Sequence, residues 1–294
     1  SDQSSLAPNG LTAFNNDGFT VKDIASGGNG VNGSTGGTYS GTNAYYVAWN
    51  WYASTAESIS ATGTGAGARL ASTIKKNVDA GFSIVSYTGG NNTNNIVGHG
   101  LDFAPELIFF KSLSQSAKWE VYAKPIGANN YLTLNDTNDK VADVIRFRNT
   151  DPTDEVFTVG IALNGNSIPY IAYAFHSVDG MSRVGSYVGT SATGNNIVTG
   201  FRPAFVMVKS SSNNEPWFIL DNKRDPNNPR DNRLMADSSA AEDDGSVHTM
   251  DFNSNGFTLN GTVGNGTNGS GVSYIFLALA EEVFNPNGVT RNAT

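Results

Sequence analysis

Pro105-Glu106-Leu107-Ile108-Phe109-Phe110-Lys111 and Pro203-Ala204-Phe205-Val206-Met207-Val208-Lys209 are two writings of one segment: a proline, an apolar run and a closing lysine. In each copy a tryptophan, Trp119 or Trp217, follows eight residues after the lysine. The likeness extends outward on both sides. Ile84-Val85-Ser86-Tyr87-Thr88-Gly89 is echoed by Arg183-Val184-Gly185-Ser186-Tyr187-Val188-Gly189, and Asn94-Asn95-Ile96-Val97 by Asn195-Asn196-Ile197-Val198. Val156-Phe157-Thr158-Val159 pairs with Gly256-Phe257-Thr258-Leu259, and Tyr170 to Phe175 with Tyr274 to Leu279. Five landmarks keep one order at offsets between 98 (105 to 203) and 104 (170 to 274), so the chain carries an internal duplication.

Within each copy, runs rich in Val, Ile, Phe and Tyr are broken by Gly, Asn and Asp, the pattern of short strands and tight turns. Leu107 to Phe110 and Tyr170 to Tyr173 are apolar on successive residues and read as central strands, whereas Ser83 to Tyr87 alternates like a strand with one wet face. No stretch sustains a helical period. The expected fold is all-β, with tandem β-sandwich domains of jelly-roll or concanavalin-like type. The expected organisation is a partial repeat over 1–60, a Gly/Ala/Thr linker over 61–73, and full repeats over 74–179 and 180–294. The partial repeat holds only the later half of the pattern, in Gly18-Phe19-Thr20-Val21 and the strand expected from Tyr45 to Trp51. Such a half-domain leaves an open edge, so completion by a neighbouring subunit or another part of the chain is expected, with a homo-oligomer, as a trimer or larger array; the alternative is an upstream segment that was cleaved off or is not included in this chain.

Composition narrows the function classes. Glycine at 33 residues and charged residues at 15% leave Asn, Ser and Thr to cover the surface. A net charge of -8 argues against nucleic acid as a partner, because that affinity rests on clustered Lys and Arg. The absence of cysteine excludes disulfides and thiolate metal sites. Apolar runs such as Tyr274 to Ala280 are far shorter than the roughly 20 residues of a membrane helix, so a soluble protein with no membrane partner is expected. Ser1 to Ser5 lack the basic and apolar regions of a signal peptide, which leaves open an unneeded leader or a removed one.

The signatures Tyr46-Val47-Ala48-Trp49-Asn50-Trp51, Ala80 to Gly89, Val97-Gly98-His99-Gly100-Leu101, Ala104 to Ile108, Gly200-Phe201-Arg202-Pro203-Ala204 and Leu220 to Pro226 run along most of the chain. Together they resemble a domain that recurs in virion structural and tail-fibre-like proteins of tailed bacteriophages, many of them marine. That resemblance implies residence on the particle exterior among other virion proteins, and it carries no catalytic residues to transfer.

The motifs that suggest chemistry are weak. Gly28-Asn29-Gly30-Val31-Asn32-Gly33 fits the dinucleotide pattern but lacks a strand before it and a helix after it, so no cofactor is expected. Asp136-Thr137-Asn138-Asp139-Lys140 places a lysine where a calcium loop needs its third ligand. His99, His176 and His248 have no metal-ligand spacing and read as a turn, a strand end and a polar loop; no metal or catalytic residue is assigned. The densest polar stretch follows Trp217 and contains Asp221, Arg224, Asp225, Arg230, Asp231 and Arg233. With the tryptophan, these seven are candidate contacts for a host surface glycan or a neighbouring subunit. Equally, they make a long loop tied down by its own ion pairs, since a tryptophan shared by both repeats belongs more often to a core.

The resulting expectation is a non-enzymatic virion protein: a fibre, spike or capsid decoration. The alternatives are a carbohydrate-binding module of a secreted bacterial protein and a glycan depolymerase.

Overall fold

The computed structural model describes residues 11–15, 18–21, 47–243, 245–261, 264–281, 283–284 and 290–291. The chain divides into two compact units, residues 1–51 with Thr294 and residues 52–293.

In the first unit, β1 (Leu11–Asn15) and β2 (Gly18–Val21) form an antiparallel hairpin with Phe14 opposite Phe19 and Asn15 opposite Gly18. The strand read at Phe19 to Val21 is present. Residues 47–51 of the segment read as a second strand lie in no strand, and Tyr45 and Tyr46 fall outside the described residues, as does the glycine-rich motif from Gly28 to Gly33.

The second unit is all β and is built twice over. Its first repeat contains β3 (Thr55–Ile59), β4 (Arg69–Leu70), β5 (Ser72–Asn77), β6 (Phe82–Thr88), β7 (Asn94–Gly98), β8 (Leu107–Ser112), β9 (Glu120–Ala123), β10 (Asn130–Thr133), β11 (Val141–Ala142), β12 (Val156–Gly160) and β13 (Pro169–Phe175). Eight of these form one sheet in the order β11-β10-β9-β8-β13-β6-β5-β3, faced by the small sheet β12-β7-β4. The second repeat contains β14 (Ser182–Val188), β15 (Asn195–Val198), β16 (Pro203–Ser210), β17 (Trp217–Asp221), β18 (Leu234–Met235), β19 (Met250–Asn253), β20 (Gly256–Leu259) and β21 (Ser273–Ala280). Its sheets run β14-β21-β16-β17-β18 and β15-β20-β19. Beyond them, β22 (Val283–Phe284) pairs with β23 (Thr290–Arg291).

The order β6-β13-β8-β9-β10 of the first repeat thus returns as β14-β21-β16-β17-β18. Register agrees as well, except that it matches Val97 to Ile197, one residue off the sequence pairing of Asn94 to Val97 with Asn195 to Val198. Tyr170 lies opposite Tyr87 as Tyr274 lies opposite Tyr187, and Phe157 opposite Val97 as Phe257 opposite Ile197. The two tyrosine pairs stack at 5.2 and 4.9 Å between ring centroids, each over a buried phenylalanine. The hairpin β1–β2 shares the register of β19–β20, in which Phe252 faces Phe257, and both place an asparagine amide on a threonine hydroxyl, Asn15 on Thr20 and Asn253 on Thr258.

Residues 61–73 are not a linker. Gly63, Gly65 and Gly67 adopt positive φ in a tight turn, the Asn95 amide donates to the Gly65 and Ala68 carbonyls at 3.0 and 2.8 Å, and β4 pairs in parallel with β7. Small residues there give close backbone approach instead of slack. β3, which falls in the region read as the partial repeat, pairs with β5 of the same chain.

Each sandwich encloses a core between its two sheets: Ile108, Phe110 and Tyr122 of the large sheet against Phe157 of the small one in the first, and Val206, Phe218 and Phe276 against Phe257 in the second. Because side chains alternate across a strand, the neighbours of these residues point outward. Those neighbours are buried too: Leu107, Phe109, Val121 and Ala123 in one repeat and Phe205, Trp217, Ile219, Ile275 and Leu277 in the other. Phe109 meets Trp217 edge to face at 6.3 Å, so the two large sheets pack back to back.

Candidate functional site

The polar loop between β17 and β18 is turned on itself. The Asp221 carboxylate is buried at the strand end; its Oδ1 accepts the Lys223 and Arg224 backbone N–H groups at 3.0 Å, and its Oδ2 accepts Arg224 Nε at 2.7 Å. Arg224 then spans the loop, donating to the Asn232 and Ile219 carbonyls at 3.1 Å and to Glu242 at 2.5 Å. Asp225 accepts the backbone N–H of Asp231 at 2.8 Å. Arg230 is only 1% exposed, with its guanidinium 4.3 Å from the Phe252 ring centre and hydrogen-bonded to Asn228. Arg233 lies over Phe218 and pairs with Asp243 at 2.5 Å.

Of the seven candidate residues, six therefore share one loop, where Asp221, Arg224, Asp225 and Arg233 close it. Trp217 leaves the set: its ring is 2% exposed, faces the other repeat and is absent from the surface that a glycan would touch. The alternation along β17 that buries Phe218 and Leu220 in the core sends Trp217 to the opposite face.

The seam between the repeats holds polar groups that the sequence reading passed over. Trp217 Nε1 donates to the Thr133 carbonyl at 2.8 Å, and Asn214 accepts the Asp139 N–H at 2.9 Å. Lys209 is fully buried and donates to the Thr137 carbonyl at 2.8 Å and to the Glu215 carbonyl. Burial pulls its pKa down to about 8 against the opposing pull of Asp237, Asp139 and Glu215. Lys111, its counterpart, is also buried and donates to the Ala117 carbonyl at 2.6 Å. The signal was present as a lysine closing an apolar strand in both copies. The segment that resembled a calcium loop is thus part of the seam, with Asp136 paired to Lys118.

The histidines serve packing. His99 is fully buried; its Nδ1 accepts the Leu101 N–H, its Nε2 donates to the Thr153 carbonyl at 3.1 Å, and burial holds its pKa down at about 4. The neutral ring follows from one nitrogen accepting while the other donates. His248 lies against Phe218 at 4.7 Å and is likewise lowered to about 4, by burial and then by Arg233. His176 packs on Phe103 at 5.1 Å just after β13. Among the described residues no three His, Asp or Glu side chains gather as metal ligands.

A groove lies at the edge of the second sandwich, where β14 and β15 end their sheets. It is an open groove of about 570 Å³ that reaches the core residues Tyr187, Ile197 and Phe276, with Arg183, Ser186 and Asn196 at its rim and Lys124 and Pro125 of the first repeat as the far wall. The sequence hint was an absence. Nothing between β13 and β14 corresponds to residues 55–77, which lie beside the same edge of the first repeat.

No helix among the described residues is long and apolar enough to cross a membrane. No curated protein and no solved structure matches the chain. Residues 1–283 do match a protein family, and the chain belongs to it: the family is described as a domain of unknown function (DUF7483).

Proposed function

We propose that this protein is a non-enzymatic structural component of a bacteriophage particle, displayed on the exterior as fibre, spike or capsid decoration and joined to other virion proteins and to copies of itself. The observation that carries the reading is where the charged groups go. Asp221, Arg224, Arg233 and Lys209 are spent on tying a loop and sealing a seam between two back-to-back sheets, an arrangement that supports mechanical permanence. The phage resemblance supplies the location and supports a role in assembly. Host surface glycans as a further partner would have to engage a surface other than the Trp217 ring.

The test is immunogold labelling of purified phage particles in negative stain with antibodies to residues 52–293, together with gradient co-sedimentation. Labelling of head or tail is the expected result. A protein that stays at the top of the gradient, separate from every particle, would overturn the reading. Light scattering of the isolated protein decides the self-association: a trimer or larger array is expected, and a monomer at all concentrations refutes it.

A further inference from the structure

The two repeats are each other's control experiment. In the first, the sandwich edge formed by β6 and β7 is covered: β5 pairs along β6, with Ser72 opposite Tyr87, Thr73 opposite Ser86, Ile74 opposite Val85 and Lys76 opposite Ser83. Ile74 is fully buried in the core, and Ile59 and Leu70 pack beside it. In the second repeat β14 and β15 stand where β6 and β7 stand, and among the described residues no strand pairs on their outer sides. Only six residues, 176–181, connect β13 to β14, too few to supply a covering strand. Val188 and Val198 are 57% and 60% exposed there, and the groove opens onto Phe276.

We propose that the groove beside β14 accepts an extended strand from a different protein, one with a small residue, an apolar β-branched residue and an acidic residue at alternate positions. The pattern follows from the register. The shared Tyr-x-Gly landmark sets Tyr87, Val85 and Ser83 equivalent to Tyr187, Gly185 and Arg183. A strand lying as β5 does places its Ser72-like residue opposite Tyr187, its Ile74-like residue opposite Gly185, and its next same-side residue opposite Arg183. Gly185 has no side chain, and a Cβ there would stand 2.6 Å from the Phe276 ring, so an incoming branched side chain meets bare backbone and an aromatic face. Arg183 is exposed, which favours an acid at the position that Lys76 holds in β5.

The backbone of β14 limits the pairing to its middle. Gly189 N–H bonds toward β21, so alternation turns the backbone groups of Val184, Ser186 and Val188 outward. The Val184 N–H is taken by the Ser177 hydroxyl at 3.0 Å and the Val188 carbonyl by the Asn195 amide at 3.1 Å. Ser186 presents both of its groups, as Ser86 does to Thr73 in the closed repeat. Strand addition of this kind takes affinity from main-chain hydrogen bonds and specificity from alternate side chains. A second copy is a poorer occupant. β5 meets the first two positions with Ser72 and Ile74 but sets Lys76 at the acidic one, and it already lies between β3 and β6 of its own repeat. The inference goes beyond the virion reading, because it rests on the comparison of the two repeats alone.

The probe is a labelled peptide with the sequence of residues 71–77 carrying Lys76→Glu, titrated by fluorescence anisotropy into the whole chain. Saturable binding below about 1 mM is expected. Arg183→Glu should weaken it about fivefold and should strengthen binding of the unaltered Lys76 peptide by a similar factor. Ser186→Pro, which removes an outward N–H at an exposed position, should abolish binding of both peptides while far-UV circular dichroism stays unchanged. No saturation at 1 mM overturns the proposal, as does binding that ignores both substitutions. Variants that lower the light-scattering mass of the protein without touching peptide affinity would give the groove to a second copy and overturn it equally. Particle labelling is independent of all these outcomes.

Discussion

Trp217 donates its indole proton to the Thr133 carbonyl at 2.8 Å, joining side chain to backbone across the seam between two repeats. Because the ring is buried and the carbonyl has little access to water, the bond and the packing can be removed separately. Trp217→Phe keeps most of the ring and strands the carbonyl, with an expected loss of about 1–3 kcal/mol. Trp217→Ala removes the ring as well, with an expected loss of about 3–5 kcal/mol. Urea unfolding followed by circular dichroism reads both. Equal losses for the two variants would mean that packing contributes nothing beyond the bond.

Gly189 has no room for a side chain. A Cβ there would lie 2.2 Å from the Gly269 carbonyl oxygen, a fixed backbone atom beside the Asn268 amide, which bonds to the Ala192 and Gly261 carbonyls. Gly89 faces Gly165 in the same way at 2.1 Å. Either glycine replaced by alanine is expected to cost about 3 kcal/mol or more. Gly194→Ala meets open space at a φ of 89°, so its cost should be near 1 kcal/mol, from backbone strain alone. Thermal unfolding of the three variants should rank them in that order.

His99 gives the protein an acid-sensitive stability. Its folded pKa of about 4 lies below the ordinary 6.5, so between those values the unfolded chain takes up a proton that the folded chain refuses. Stability is therefore complete above pH 6.5 and falls as pH drops toward 4, by on the order of 3 kcal/mol for this residue. His248, shifted the same way, adds to the fall. His99→Thr installs the residue found at the equivalent Thr199, whose hydroxyl accepts the Phe201 N–H as His99 accepts that of Leu101. The variant should show about half the wild-type slope in urea midpoint between pH 6.5 and 5. An unchanged slope would remove His99 from the account.

Arg224 is the hub of the polar loop, and Arg224→Lys preserves its charge while discarding its fork. A lysine cannot reach Asp221, Glu242 and two carbonyls at once, so a loss of about 2–3 kcal/mol is expected. Hydrogen exchange should speed up at the Asp231 and Asn232 amides, which the ordered loop holds against Asp225. A stability change under about 0.5 kcal/mol would place this loop among ordinary surface ion pairs.

The duplication, the all-β class and the central strands were legible in the residues alone. These depend on local period, turn residues and repeated spacing, each readable within a few residues: Phe157 and Phe257 occupy matching positions because their flanking runs match. The tied loop was readable for the same reason, since Asp221 and Arg224 are three residues apart.

Tertiary structure decided what depends on distant partners. The glycine-rich stretch from Ala61 looks slack in isolation, yet Asn95, 30 residues from Gly65, clamps it. Trp217 looks like a companion of the loop beside it, yet its hydrogen-bond partner lies 84 residues away. Alternation along a strand says that a side chain points to one of two faces. Which neighbour covers that face is set by how whole sheets pack, and here two large sheets turn their outer faces to each other while no strand among the described residues pairs along the β14 edge.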